Sequence, residues 1–382
     1  MKKGFLAKIY SYIFLYDLIF AYAVYNLLFA ENGLSESEIS LLLGWWAFVA
    51  VVFEIPSGVL ADKINRKWLI VAAPILKATT FLVWGVFIGS FFLYAVGFLL
   101  WGLGSTLITG TYQAYIYDSL ANSKQESDYE KVIGRVNFFK KFGVSLGLII
   151  GGFLASFSIQ LAMLVSVVPL ILGFVIALSF NEVRAIRGSE ENKYFDYMKS
   201  AFGLIKKSSS LRFLFITIIV LGVFGNLDEY DQLYYKLVDL PVALFGIIAF
   251  TPFFGAAVVE SLSYRVKNNS VLFLVLPVAS AVLLLIVGVF PTLLTLIALV
   301  SGYVIIAPLN VLVDGKIQRE IVDGNRATVI SFSNFLKHIF GIGLYLIFGI
   351  VIKMSSLEGV YVFSGLTLLV YSLIAINYRK LI

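Results

Sequence analysis

The sequence predicts an all-α membrane protein of twelve transmembrane helices in two pseudo-symmetric six-helix bundles. Three observations predict it. Of 382 residues, 60% are hydrophobic and only 14% charged, against about 25% charged in a soluble globular chain. Apolar runs of about 20 residues, the length that crosses a bilayer, recur between polar turns. The basic residues gather in alternate turns, as the positive-inside rule requires.

In chain order the runs lie at 8–30, 39–61, 68–88, 91–121, 132–157 and 159–180, then 211–235, 242–264, 271–289, 292–315, 326–353 and 357–377. The first, in MKKGFLAKIYSYIFLYDLIF, has a basic start like a signal peptide. It lacks a small-residue cleavage site and Asp17 interrupts it, so it reads as a retained helix. With the N-terminus placed inside, 22 of the 29 lysines and arginines fall in inner segments. The outer loops hold Lys236 and Lys353; Lys77, Arg135, Lys140, Lys141 and Lys337 lie within runs. Both termini are then cytoplasmic, in a multi-pass protein of the cell membrane. The polar, basic segment 181–210 reads as a cytoplasmic linker, with a surface helix near 194–207, between an N-terminal bundle (1–180) and a C-terminal bundle (211–382).

The halves echo each other. NFFKKFG (137–143) is similar to NFLKHIFG (334–341), and Asp118 and Asp314 both stand just before inner loops. A twofold repeat of six helices is a transporter signature. The net charge of +6 comes from short loops and gives no nucleic-acid signal. With no cysteine, one histidine and no Walker loop, the chain reads as no enzyme and as holding no metal or cofactor. The expected partners are a small-molecule substrate and the lipid bilayer, the expected state a monomer, and the proton the expected coupling ion.

The loop after the second run reads GVLADKINRK (58–67). Gly58 would let another helix approach closely, and Asp62 stands at a helix end, where it would meet the positive N-terminus of a neighbour. Gly58, Asp62, Lys63, Arg66 and Lys67 match the loop motif of the major facilitator superfamily, which this chain resembles throughout. Asn65 replaces the usual Gly, and Asn also tolerates a left-handed turn. The resemblance implies that Asp62 meets helix 11 and that Arg66 pairs with Asp118 at the inner end of helix 4, a latch on the cytoplasmic side.

Helix 5 carries Gly134, Gly143, Gly147 and Gly151–Gly152. The stripe at Gly143, Gly147 and Gly151 suits tight helix packing. It also resembles the antiporter motif of exporters in that superfamily, with Leu148 in place of the motif's proline. The buried arginine of proton antiporters is absent from helix 4, where Ser105 and Thr106 stand. The resemblance further implies that helices 1, 4, 7 and 10 line a central cavity. Asp17, Asn26, Tyr112, Gln113, Asp228, Asp231 and Asn310 are then candidates for substrate and proton. Withdrawal from water favours the neutral form of a carboxylic acid, so such a group can carry a coupling proton.

Lys141 and Lys337 each lie 16 residues before the outer end of their run. That is about 24 Å of helix, which puts them in the cytoplasmic third of the core. They can snorkel inward. The acids Glu54 and Glu260 reach similar depths on helices 2 and 8, which the resemblance packs on helices 11 and 5. A cytoplasmic gate is therefore expected, pairing Glu54 with Lys337 or His338 and Glu260 with Lys140 or Lys141. The leading expectation is a secondary transporter working by alternating access, with proton-coupled export of a small amphiphilic or cationic molecule. The alternatives are proton-coupled uptake or exchange of an organic anion, and a non-transporting membrane sensor or scaffold.

Overall fold

The computed structural model describes residues 3–183, 208–262, 271–320 and 326–378, with residues 202, 203, 205 and 206. The surface helix expected near 194–207 lies almost wholly outside them. Twelve helices are long and apolar enough to cross a membrane, and among the described residues there is no strand. Large apolar side chains lie exposed along these spans, such as Phe92 at 73% and Ile297 at 68%. That is the surface an acyl-chain solvent demands of an integral membrane protein.

The chain divides into two units, Met1–Ser189 with Pro241–Ile247, and Glu190–Leu240 with Ile248–Ile382. In the first unit the spans are Gly4–Glu31, Glu36–Glu54, Arg66–Val86, Phe91–Ala121, Glu126–Ala155 and Ile159–Leu178. A capping box starts the second helix: the Ser35 N–H donates to Glu38 Oε2 (2.9 Å) and the Glu38 N–H to Ser35 Oγ (3.4 Å). Asn65 is not left-handed. Its φ is −67°, and its side chain accepts from the Lys67 N–H as the N-cap of span 3. Asparagine at the place of the motif's glycine therefore satisfies an orphan amide instead of permitting a turn.

Spans 1 and 4 of this unit are broken, and span 6 is interrupted at Ser166, between Ile159–Val165 and Val167–Leu178. Span 4 stops at Ile108 and restarts at Thr111 across Gly110, whose φ of +74° only glycine adopts freely. Span 1 stops at Asp17, passes through an extended Ile19 (φ −114°, ψ 114°) and a 3₁₀ turn at Phe20–Ala23, and resumes at Tyr25–Glu31. Neither proline nor glycine stands there. Tertiary partners hold the break instead. The Ile19 N–H donates to the Asp17 carbonyl (3.0 Å), and the Ala21 N–H to Ser166 Oγ (2.9 Å) on span 6. Freed backbone groups at membrane depth persist only with such partners.

In the second unit the spans are Ser209–Leu237, Val242–Glu260, Leu272–Val289, Thr295–Ile317, Leu336–Met354 and Glu358–Tyr378. The start of span 8 belongs to the first unit by contacts. Span 7 is broken as well, into Ser209–Leu221, Phe224–Leu227, a 3₁₀ turn Asp228–Tyr230 and Asp231–Leu237. Span 12 is tied to span 7 by the Tyr371 and Thr217 hydroxyls (3.0 Å), and span 9 to span 10 by Ser280 Oγ donating to the Gly302 carbonyl (3.1 Å).

Candidate functional site

The break in span 1 creates the first site. A helix ending at Asp17 presents free carbonyls and the negative end of its dipole, an unfavourable place for a carboxylate. Lys77, from the middle of span 3, offsets both. Its ammonium donates to the Tyr16 carbonyl (3.3 Å) and stands 4.0 Å from Asp17 Oδ1. It also lies over the rings of Tyr16 (4.2 Å), Tyr22 (5.3 Å) and Trp101 (5.9 Å). Lys77 is 2% exposed and Asp17 7%. Sequence reading marked Lys77 only as a cation within a span. The 60-residue separation from Asp17 hid the pairing, and the neighbouring aromatics read as lipid-facing bulk.

Helix 5 seats this broken segment. A methyl group at Gly143 would stand 2.6 Å from the Phe14 carbonyl oxygen, and at Gly147 2.8 Å from that of Ile19. At Gly151 it would overlap the Phe20 carbonyl outright. The glycine stripe is thus a track along which the backbones of spans 1 and 5 touch. Gly134, the first glycine of the pattern, has nothing within 4 Å among the described residues. Gly152 meets the backbone of Gly246 in the same way, at 2.7 Å from its nitrogen.

The second unit carries the other buried acid at its own helix break. Asp231 follows the 3₁₀ turn of span 7 and is 5% exposed. Its Oδ1 accepts from the hydroxyls of Tyr303 on span 10 (3.1 Å) and Tyr361 on span 12 (3.0 Å). No ion pair reaches it among the described residues. Asp228 is exposed, Glu229 half-buried and Tyr235 buried. Sequence reading missed Tyr303 and Tyr361, because a tyrosine in an apolar span gives the same signal whether its hydroxyl meets an acid or a carbonyl.

The remaining candidates are distributed over both units. Asn26 is fully buried in the second segment of span 1. Tyr112 is buried too, and its hydroxyl is occupied by the Ile9 carbonyl (2.6 Å), a tie between spans 4 and 1. Gln113 in the first unit and Asn310 in the second are exposed. Glu54, Lys140 and Lys141 lie on the first unit and Lys337, His338 and Glu260 on the second; all are exposed except the half-buried Glu260.

At the loop after span 2, Arg66 Nη1 meets Asp118 Oδ2, with side chains 14% and 6% exposed. Loss of either partner takes this ion pair away from the other, largely buried charge, at a cost of up to about 3–5 kcal/mol. Gly58 has nothing within 4 Å among the described residues of its own unit, so it serves no close approach there. The side chain of Asp62 lies outside the described residues.

Comparison with known proteins decides the family. The sequence profile described as Major Facilitator Superfamily matches residues 9–345. The chain belongs to the major facilitator superfamily. This superfamily member is similar to BU466, an uncharacterized transporter of Buchnera aphidicola, at 32% identity over 94 residues, 23% of this chain and 22% of the relative. It is similar to the inner membrane transport protein YajR of Escherichia coli at 36% identity over 67 residues, 16% and 15% of the two chains. The matches thus span about a fifth or less of these relatives' length. Among solved structures, the nucleoside transporter NupG superposes with a TM-score of 0.78 at 15% identity over the whole of both chains. The xylose transporter XylE of E. coli, inward open, superposes with 0.65 at 14% identity over 98% of this chain and 95% of its own. At such identity the likeness is one of fold. The protein is an integral membrane protein with the fold of the major facilitator superfamily.

Proposed function

We propose that the protein is a proton-coupled secondary transporter that exports a small amphiphilic or cationic molecule by alternating access. The observation that carries the reading is a buried carboxylate at a helix break in each unit. Asp17 is balanced by a lysine within its own unit, whereas among the described residues Asp231 is held by two tyrosine hydroxyls and no cation. A buried acid without a cation is stable when it holds a proton, and tyrosine hydroxyls satisfy it when it does not. Asp231 therefore takes the coupling-proton role, and Asp17, beside three aromatic faces, the substrate role. Discontinuous helices at ion and substrate sites are the general transporter device.

The latch and gate residues belong to the same reading. Arg66–Asp118 fixes the cytoplasmic ends of spans 3 and 4 within one unit. The pairs of Glu54 with Lys337 or His338, and of Glu260 with Lys140 or Lys141, form in one state of the cycle and part in the other. Glu54→Lys is expected to impair transport and added Lys337→Glu to restore part of it, as measured by uptake into liposomes. No restoration with both proteins well inserted would remove the first pair. The protein works as a monomer in the cell membrane with both termini in the cytoplasm. Reconstitution under an imposed pH gradient, with a panel of organic cations, tests the whole reading. It fails if a cation is transported without accompanying proton movement.

A further inference from the structure

The Lys77 ammonium occupies a setting built for a cation in general more than for a lysine in particular. A carboxylate and three ring faces converge on it within 6 Å, the chemistry by which proteins recognise organic ammonium groups. An ammonium has three N–H donors. Among the described residues Lys77 donates a single hydrogen bond, a long one of 3.3 Å, and its ion pair with Asp17 is at 4.0 Å. A lysine placed for structure alone would be expected to satisfy more of its donors at this depth. The electrostatic demand of the box is met, while the directional demand of the ammonium is largely unmet. A methylated ammonium, which asks for few or no hydrogen bonds, would satisfy the box at least as well.

We infer that Asp17 and the ring faces of Tyr16, Tyr22 and Trp101 form a subsite for an organic ammonium group, which the Lys77 side chain holds as a tethered competitor until the ligand displaces it. The flexible four-carbon stem allows that exchange. Two of the rings belong to the broken segment of span 1 and its flank, so backbone adjustment at Leu18–Val24 admits a ligand without unravelling an intact helix. The ligand and Lys77 carry the same charge, so their exchange leaves the pairing of Asp17 unchanged. This deepens the proposed export of a cation and rests on that reading for its physiological meaning.

The test uses the purified full chain in detergent and benzyltrimethylammonium as probe, with binding followed by calorimetry. Asp17→Asn should weaken binding at least tenfold. Lys77→Gln should tighten it about tenfold or more, as expected when a like charge leaves the box. The double variant should bind more weakly than Lys77→Gln alone. Binding to Lys77→Gln no tighter than to the wild type would overturn the inference.

A second measurement needs no variant and so does not depend on Lys77→Gln folding. Labelling of Lys77 by a small amine-reactive reagent, read by mass spectrometry of the wild type, should rise several-fold when the probe is added. Unchanged or reduced labelling means that the lysine is not displaced, and also overturns the proposal. Both readouts are independent of proton flux. Loss of Asp17-dependent binding with proton-coupled transport intact removes the subsite alone. Normal binding without flux removes the transport reading alone.

Discussion

Asp231→Asn is expected to abolish proton-driven transport in liposomes and to leave substrate exchange across the membrane running. Asparagine has the shape of the acid, and its amide oxygen can accept from Tyr303 and Tyr361 as the carboxylate oxygen does. What it lacks is a site that gains and loses a proton. A permanently neutral group allows the loaded carrier to cycle and denies the proton gradient its handle. Accumulation should fall to that of protein-free liposomes, while counterflow of labelled against unlabelled substrate persists. A merely structural role for Asp231 would remove both activities together. Asp231→Ala is a harsher change. It leaves the buried Tyr361 hydroxyl without its acceptor, at about 1–3 kcal/mol, and the part-buried Tyr303 hydroxyl as well, and should lower thermal stability where Asp231→Asn does not.

Gly151→Ala is expected to be the most damaging single methyl group in the first unit. That methyl would overlap the Phe20 carbonyl, which is backbone and cannot rotate away. Relief requires spans 1 and 5 to separate, and overpacking of this kind costs about 1–3 kcal/mol or more. Gly147→Ala should act in the same direction, since its methyl would stand 2.8 Å from the Ile19 carbonyl. Gly134→Ala is the control. Nothing described lies within 4 Å of it, and alanine is the better helix former by about 1 kcal/mol. Its melting temperature in detergent should be unchanged or slightly raised, while that of Gly151→Ala falls by several degrees. Equal melting temperatures for the two variants would mean that the stripe does not carry the contact.

Much of the fold was legible because lipid leaves few choices. A run of about 20 apolar residues between polar turns has one way to satisfy its backbone in hydrocarbon, and that is a helix. The twelve runs accordingly match the twelve spans to within a few residues at most ends. What was not legible is what tertiary contact decides. Span 1 breaks after Asp17 without any glycine or proline, because Ser166, 145 residues away, accepts the Ala21 N–H. The small residues of helix 5 could be read as a packing stripe, but not which backbone they admit. Gly110 was no more legible: it is one of four glycines in the run 91–121, and only the backbone shows that the helix breaks there and not at Gly97, Gly102 or Gly104.

At the candidate sites, the acids stood out because a carboxylate in an apolar run is rare. Their partners did not, because Tyr303 and Tyr361 look like lipid anchors until the spans are packed. Lys77 was visible as a buried charge, and its role emerged only with Tyr16, Tyr22 and Trp101 around it. Asn65 misled for a simpler reason. Asparagine suits both a left-handed turn and a helix N-cap, and only the backbone shows which applies.

Proton flux tests the coupling most directly. Purified protein in sealed liposomes with a trapped pH indicator would be presented with a panel of organic cations across an imposed pH gradient. For a cation that the wild type moves, protons should flow in the opposite direction, and the flux should vanish in Asp231→Asn. Cation movement with no proton flux, or equal flux from Asp231→Asn, would contradict the account.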